Sequence, residues 1–158
     1  MIEPITKEDE IALLALNNEL AEELSWLEPE QWRVLLAGAF HARRIGRLDA
    51  FLLSFDQDAA YDSPNFLWFR HRFARFVYVD RIAVADHARG RGLARRLYED
   101  LFSAALVRGH DVVTCEVNSA PPNPGSDAFH SALGFVKVGE AVIHGGKKSV
   151  RYFARQLL

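Results

Sequence analysis

The sequence has 158 residues, 49% of them hydrophobic and 25% charged, which suits one globular domain over residues 1–158 whose core needs neither disulfides nor a structural metal. A formal net charge of -2 excludes a chain-wide attraction to nucleic acid or to an anionic membrane, so any anion site must be local. The lone cysteine, Cys115, excludes an internal disulfide. No apolar run approaches the roughly 18 residues of a bilayer span, and the acidic start MIEPITKEDE lacks a basic-then-apolar signal layout; together these lead us to expect a cytoplasmic protein.

The first residues read as a short extended piece, after which Thr6 and the acidic residues behind it form a capped helix start. Ile11, Leu13, Leu14, Leu16, Leu20 and Leu24 then recur at helical spacing, and Pro29 opens a second short helix through Trp32, Leu35 and Leu36. The run AFHARRIGRLDAFLLSFD predicts two strands turning near Gly46. A polar loop is expected over 56–65. In the run YDSPNFLWFRHRFARFVY, part of the aromatics is assigned to strand core and the rest to an acceptor pocket.

RFVYVDRIAVA is the strongest strand signal. A helix from Gly92 to Val107, closed by Gly109, leads to the strand DVVTCEVN, and a crossover helix of that length implies that its two flanking strands are parallel. SAPPNPG reads as loop, SDAFHSALGF as a short helix ended by Gly134, and FVKVGEAVI with KSVRYFARQL as a hairpin around HGGK. The whole is one mixed α/β domain without repeats.

The stretch DHARGRGLARRLYEDLF sets Gly90, Gly92 and four arginines at the mouth of a helix, where the positive end of the peptide dipole disfavours arginine unless an anion arrives. Glycines between a strand and a helix let backbone N–H groups approach a phosphate. A nucleotide P-loop is excluded because Leu93 stands where its lysine should follow Gly92. A dinucleotide fingerprint is excluded because Arg95 replaces its third glycine. Arg95 and Arg96 also have a plain explanation, pairing with Glu99 and Asp100 one turn on.

Arg89, Gly90, Arg91, Gly92, Leu93 and Ala94 match the pattern Gln/Arg-x-x-Gly-x-Gly/Ala, and here the sequence resembles the GNAT superfamily of N-acetyltransferases, whose acyl-CoA pyrophosphate loop carries it. The preceding VDRIAV and the later NPGSDAFHSALGF are similar to two further signatures of that family in order and spacing; Asn123, Ser126 and His130 fall where it has Asn, Ala or Ser, and Tyr. The resemblance implies a largely antiparallel mixed sheet with a central parallel strand-helix-strand unit and flanking helices. It also implies an acetyl-CoA-dependent enzyme that acetylates a primary amine by direct attack.

In that scheme Ile82, Ala83 and Val84 lend backbone N–H groups to pantetheine and to the thioester oxygen, Arg89–Ala94 hold the diphosphate, and Asn123 and Ser126 border the pantetheine arm. Asp80 and Glu116 are the carboxylates placed to take a proton from an ammonium whose pKa is about 10.4 if it is lysine-like, and His130 takes the place of the acid that meets the departing sulfur. A strand-end carboxylate paired with Arg81 or Arg75 is the structural alternative for Asp80, a salt bridge for Glu116, and a packed helix-face histidine for His130.

Cys115 reads as core rather than nucleophile, and no Cys/His set points to a metal. The expected partner is a small-molecule amine, with neither nucleic acid nor membrane, and a homodimer is compatible with the sequence. A catalytically silent acyl-CoA-binding module and a protein or peptide N-acetyltransferase are the competing functions.

Overall fold

Strands β1 (Ile2–Pro4), β2 (His41–Ile45), β3 (Ala50–Asp56), β4 (Val77–Val84), β5 (Val112–Ala120), β6 (Val136–Ile143) and β7 (Lys148–Gln156) form one sheet in the order β1-β2-β3-β4-β5-β7-β6. The structure is a computed structural model and describes residues 1–120 and 123–158. All neighbouring strands are antiparallel except β4 and β5, which are parallel, as the crossover helix requires. This is the mixed, largely antiparallel sheet that the resemblance implies.

The helices are α1 (Glu10–Glu19), α2 (Ala21–Leu24), α3 (Pro29–Ala37), α4 (Pro64–Arg70), α5 (Leu93–Val107) and α6 (Pro124–Ala132). Local chemistry sets several of their ends. The Asp9 carboxylate accepts the Thr6 backbone N–H at 2.8 Å ahead of α1, and the Gln31 side chain accepts the Glu28 N–H at 2.8 Å ahead of α3, so two otherwise orphan donors are satisfied. Gly109 and Gly134 follow α5 and α6 with φ of +84° and +89°, a backbone conformation that favours glycine.

Helix α4 departs from the sequence expectation. Residues 64–70 form α4 rather than the end of a loop and the start of a strand-like aromatic run. Pro64 pre-sets the first helical φ, and Phe66, Phe69 and Phe73 recur at helical spacing, the first two packing on β4 with ring centroids 5.7 Å and 5.8 Å from Tyr78. The SAPPNPG expectation also changes. Ser119 and Ala120 complete β5, Pro124 and Gly125 open α6, and Pro121 and Pro122 lie outside the described residues.

Because side chains alternate across a strand, neighbouring residues of β5 and β7 serve opposite layers. Glu116 and Tyr152 face α4, Tyr152 stacking on Trp68 at 4.2 Å, whereas Cys115 meets Tyr98 of α5 and Phe153 stacks near His130 of α6. The sheet therefore lies between α1, α3 and α4 on one side and α5 and α6 on the other. Trp32, Phe51, Phe55, Phe66, Phe69 and Tyr98 fill the two interfaces.

Candidate active site

β4 and β5 pair only at Val77↔Val113 and Tyr78↔Thr114. Beyond these residues the strands part, and a cavity of about 1220 Å³ opens between them. Tyr78 to Ile82 form one wall and Cys115 to Asn118 the other; Tyr61 to Asn65 close one side, and Tyr98, Asn123, Ser126 and His130 the opposite side. Residues 21–37 add Glu23, Leu27, Glu28 and Glu30 to its mouth.

Asp80 sits in a bulge. Leu53 and Ser54 of β3 pair with Arg81 and Val79, leaving Asp80 unmatched and re-aimed. Its carboxylate accepts Tyr61 Oη–H at 2.6 Å and Arg81 Nε–H at 2.7 Å, while Arg81 Nη1 donates to Asn17 Oδ1 of α1 at 2.9 Å. The pairing with Arg81 is one of the structural alternatives foreseen for Asp80, yet the same residue lines the cavity.

Glu116 faces it across the gap. Tyr78 Oη–H donates to Glu116 Oε1, and the Asn65 side chain favours the ionised form of the carboxylate. Burial pushes the Glu116 carboxyl up to about 7, with the negative charge of Asp80 adding to the rise, while Tyr78 and Asn65 oppose it by stabilising the ionised form. Arg81 pairs with Asp80, whereas among the described residues no cation pairs with Glu116. A carboxylate of this kind holds and yields a proton near neutrality.

His130 is 6% exposed. Its Nδ1 lies 2.7 Å from the Ser126 carbonyl, which can only accept, so Nδ1 carries the hydrogen; Nε2 of the neutral ring then accepts Tyr98 Oη–H at 2.9 Å. Burial holds its pKa below the ordinary histidine value, against the opposing pull of the Ser126 carbonyl and Asp127. Asn123 caps α6, its Oδ1 accepting the Ser126 N–H at 3.2 Å, and borders the cavity together with Ser126. Cys115 is buried, and burial pushes its thiol well above the ordinary value.

The Arg89–Ala94 turn is built from main chain. Gly90 and Gly92 have φ of +79° and +72°, and a Cβ on either would meet open space, so backbone conformation rather than crowding within the chain demands glycine. The mouth of α5 carries no acidic residue in its first turn and no side-chain cap on Gly92. Its arginines are tied loosely: Arg89 to Asp86 at 3.3 Å, Arg91 to Asp49 at 3.4 Å beside His87, and Arg95 to Glu99 at 3.5 Å as foreseen. The partner expected for Arg96 is taken elsewhere, since Asp100 binds His41 at 2.7 Å.

The turn lies beyond the end of the cavity, whose wall includes Ile82 but not Ala83, Val84 or residues 89–94. Ala83 is buried, Val84 half-buried, Leu93 is packed into the core and Ala94 is half-buried. Sequence reasoning thus named three side chains that the fold brings to one cavity, Asp80, Glu116 and His130, and missed the tyrosines and amide that hold them. Tyr78 could have been found, since it lies two residues before Asp80 on one strand. Asn65, Tyr61 and Tyr152 come from distant segments and leave no local signal. Among the described residues no group of three or more His, Cys, Asp and Glu side chains could hold a metal ion, and no helix is long and apolar enough to cross a membrane.

No curated protein matches the sequence. Among solved structures the chain is similar to a ribosomal-protein-alanine N-acetyltransferase from Brucella melitensis, with 21% identity over 99% of each chain and a TM-score of 0.73. It is similar to Ard1 from Thermoplasma volcanium, with 13% identity over 100% of this chain and 97% of that one and a TM-score of 0.79. It also resembles a chain of the NatC complex bound to Gag peptide and CoA, with 12% identity over 100% and 98% and a TM-score of 0.75. At these identities the likeness is one of fold. The family model described as the acetyltransferase (GNAT) family matches residues 13–135, spanning the cavity walls, the glycine turn and α6, so the chain belongs to the GNAT family of acetyl-CoA-dependent N-acetyltransferases.

Proposed function

We propose that the protein transfers the acetyl group of acetyl-CoA to a primary amine, first of all a small-molecule amine, by direct attack within a ternary complex. The observation that carries this reading is the Glu116 carboxylate, placed where β4 and β5 part, facing the cavity, with a proton affinity near neutrality. Glu116 takes a proton from the bound ammonium, directly or through water. The nitrogen lone pair then forms the C–N bond to the thioester carbon, the C–S bond breaks with its electron pair leaving on sulfur, and the second nitrogen proton passes to the departing thiolate or to water. Asp80, already satisfied by Tyr61 and Arg81, acts through its charge by attracting the ammonium and by keeping Glu116 basic.

The backbone of Ile82–Val84 borders pantetheine and the thioester oxygen, and the Arg89–Ala94 turn takes the diphosphate on its free amides. His130 is neutral with both ring nitrogens committed, so its part is to hold the Tyr98 hydroxyl beside the pantetheine arm. A thiolate whose acid has a pKa near the 8.5 of cysteine leaves unaided. An acetyl-cysteine intermediate is disfavoured because the Cys115 thiol resists ionisation. A lone buried cysteine is in keeping with the cytoplasmic setting foreseen.

A second acceptor, a peptide N-terminus, is favoured by the likeness to a protein named for ribosomal-protein-alanine acetylation. A panel of small amines and short peptides, incubated with acetyl-CoA and followed by thiol release, tests both. Turnover that Glu116→Gln abolishes supports the reading, and thiol release from no member of the panel would leave the silent binding module in its place.

A further inference from the structure

Glu116 and Tyr152 are cross-strand partners in the β5–β7 ladder, so their side chains rise from the same face of the sheet. Asn65, in the first turn of α4, lines the same cavity as Glu116 and favours the ionised form of its carboxylate. Tyr152 Oη–H donates to Asn65 Oδ1 at 2.8 Å. A carboxamide whose oxygen is engaged by Tyr152 keeps its NH2, which can only donate, for the Glu116 carboxylate that it stabilises.

The donor is itself held in place. Trp68 stacks on the Tyr152 ring at 4.2 Å with an interplanar angle of 24°, Phe69 meets it edge-on at 5.2 Å, and the Arg72 guanidinium covers Trp68 at 3.7 Å. Trp68 in turn lies over Gly139, where a Cβ would collide with the indole. The stack therefore requires a residue without a side chain at that point of β6.

We infer that Tyr152 and Asn65 form a positioning pair for Glu116, in which Tyr152 fixes the turn of the Asn65 carboxamide so that NH2 rather than oxygen meets the carboxylate. Tyr152 need not touch the acceptor to influence the reaction. Without its hydroxyl the carboxamide can rotate and present its oxygen, which favours the protonated acid and delays its use as a base. This rests on the proposed role of Glu116 for its catalytic meaning, but not for its structural content.

Other groups also bear on Glu116: Asp80 and Tyr78 from β4, Tyr61 from the segment before α4, Tyr98 from α5 and Cys115 from its own strand. None of these contacts is altered by removing the Tyr152 hydroxyl. Tyr152 itself also feels the Glu116 charge, so it is the double variant that assigns the shift to the amide.

The test is a carbon-13 NMR titration of the full chain labelled in its glutamate carboxyls, with the Glu116 resonance assigned by its loss in Glu116→Gln and no ligand added. In Tyr152→Phe the midpoint is expected to rise by about one pH unit, and in Asn65→Ala by a similar amount, since the amide's stabilisation of the ionised form is lost in each. The double variant should shift no further than Asn65→Ala alone, because Tyr152 acts through Asn65. A midpoint unmoved in either single variant, with folding confirmed by thermal melting, overturns the pair, as does an additive shift in the double. The readout needs no turnover, so a Glu116→Gln variant that remains active would remove the base assignment while leaving this result standing.

Discussion

The glycine turn after β4 and the carboxylate pair on the cavity floor are separated by only a few residues of chain at Asp80 and Arg89, yet they are made in opposite ways. The turn is local: two glycines in left-handed conformation, a helix mouth without an acidic first turn, and exposed arginines held by loose ion pairs. The floor is long-range: Asp80 and Glu116 are held by Tyr61, Tyr78, Arg81 and Asn65, and Asn65 by Tyr152, drawn from β4, β7, α4 and the segment before α4. A main-chain site depends on a few backbone angles. A side-chain site depends on every partner that holds it, and it carries a cost in stability that the turn does not.

The contrast is sharpest at Glu116. Glu116→Gln is expected to lower kcat by about 10²–10⁴, the usual worth of one acid-base group, measured by thiol release at saturating acetyl-CoA. The same variant should be more stable than the parent at alkaline pH. The folded-state pKa of about 7 lies above the ordinary 4.5, so the native form holds its proton more tightly than the unfolded chain. The resulting penalty is absent below pH 4.5, grows between 4.5 and 7, and stays constant above, reaching roughly 3 kcal/mol. Chemical denaturation at pH 5 and pH 8 should show a gain several-fold larger at the higher pH, and equal gains at both would contradict the burial of an ionised carboxylate.

A smaller effect is expected at the turn. Gly92→Glu places a like charge and a strained φ where the diphosphate is to sit, and calorimetry should show acetyl-CoA affinity weakened about 10- to 100-fold, the worth of one charge-assisted hydrogen bond. Unchanged affinity would move the diphosphate elsewhere. His130→Phe should lower kcat less than about tenfold, because the imidazole is neutral and committed, while thermal melting records a loss of about 1–2 kcal/mol as Tyr98 Oη loses its acceptor. A larger fall in rate with an alkaline limb displaced upward would return His130 to the role of acid at sulfur. Arg95→Ala removes only an exposed pair and should change stability by less than about 0.5 kcal/mol.

What could be read from the chain follows the same division. Gly90, Gly92 and the strand-helix-strand order were legible because their conformation is set by neighbours in sequence, as were the cap at Thr6 and the opening of α3 at Pro29. The side chains of the floor could be named but not their states. Nothing in VDRIAV shows that Asp80 occupies a bulge or that Arg81 turns back to it, and nothing in SDAFHSALGF shows that a backbone carbonyl fixes the tautomer of His130. Helix α4 was hidden by composition, since phenylalanine and tryptophan favour strands in general and only their spacing around Pro64 and Trp68 betrays the turn of a helix.

The two-residue pairing of β4 with β5 makes Val77–Val113 and Tyr78–Thr114 the tip of a crack in the sheet. Each lip beyond it is a row of peptide groups whose natural neighbour strand has moved away, so whatever fills the gap meets ready-made donors and acceptors rather than a smooth wall. A crack propagates unless its tip is fastened. Here the fastening is Thr114, fully buried, whose hydroxyl donates to the Val77 carbonyl at 3.1 Å across the last paired rung. Thr114 thus acts as a rivet: it sets how far the sheet can unzip, and with it the depth of the slot in which Glu116 and Asp80 face each other.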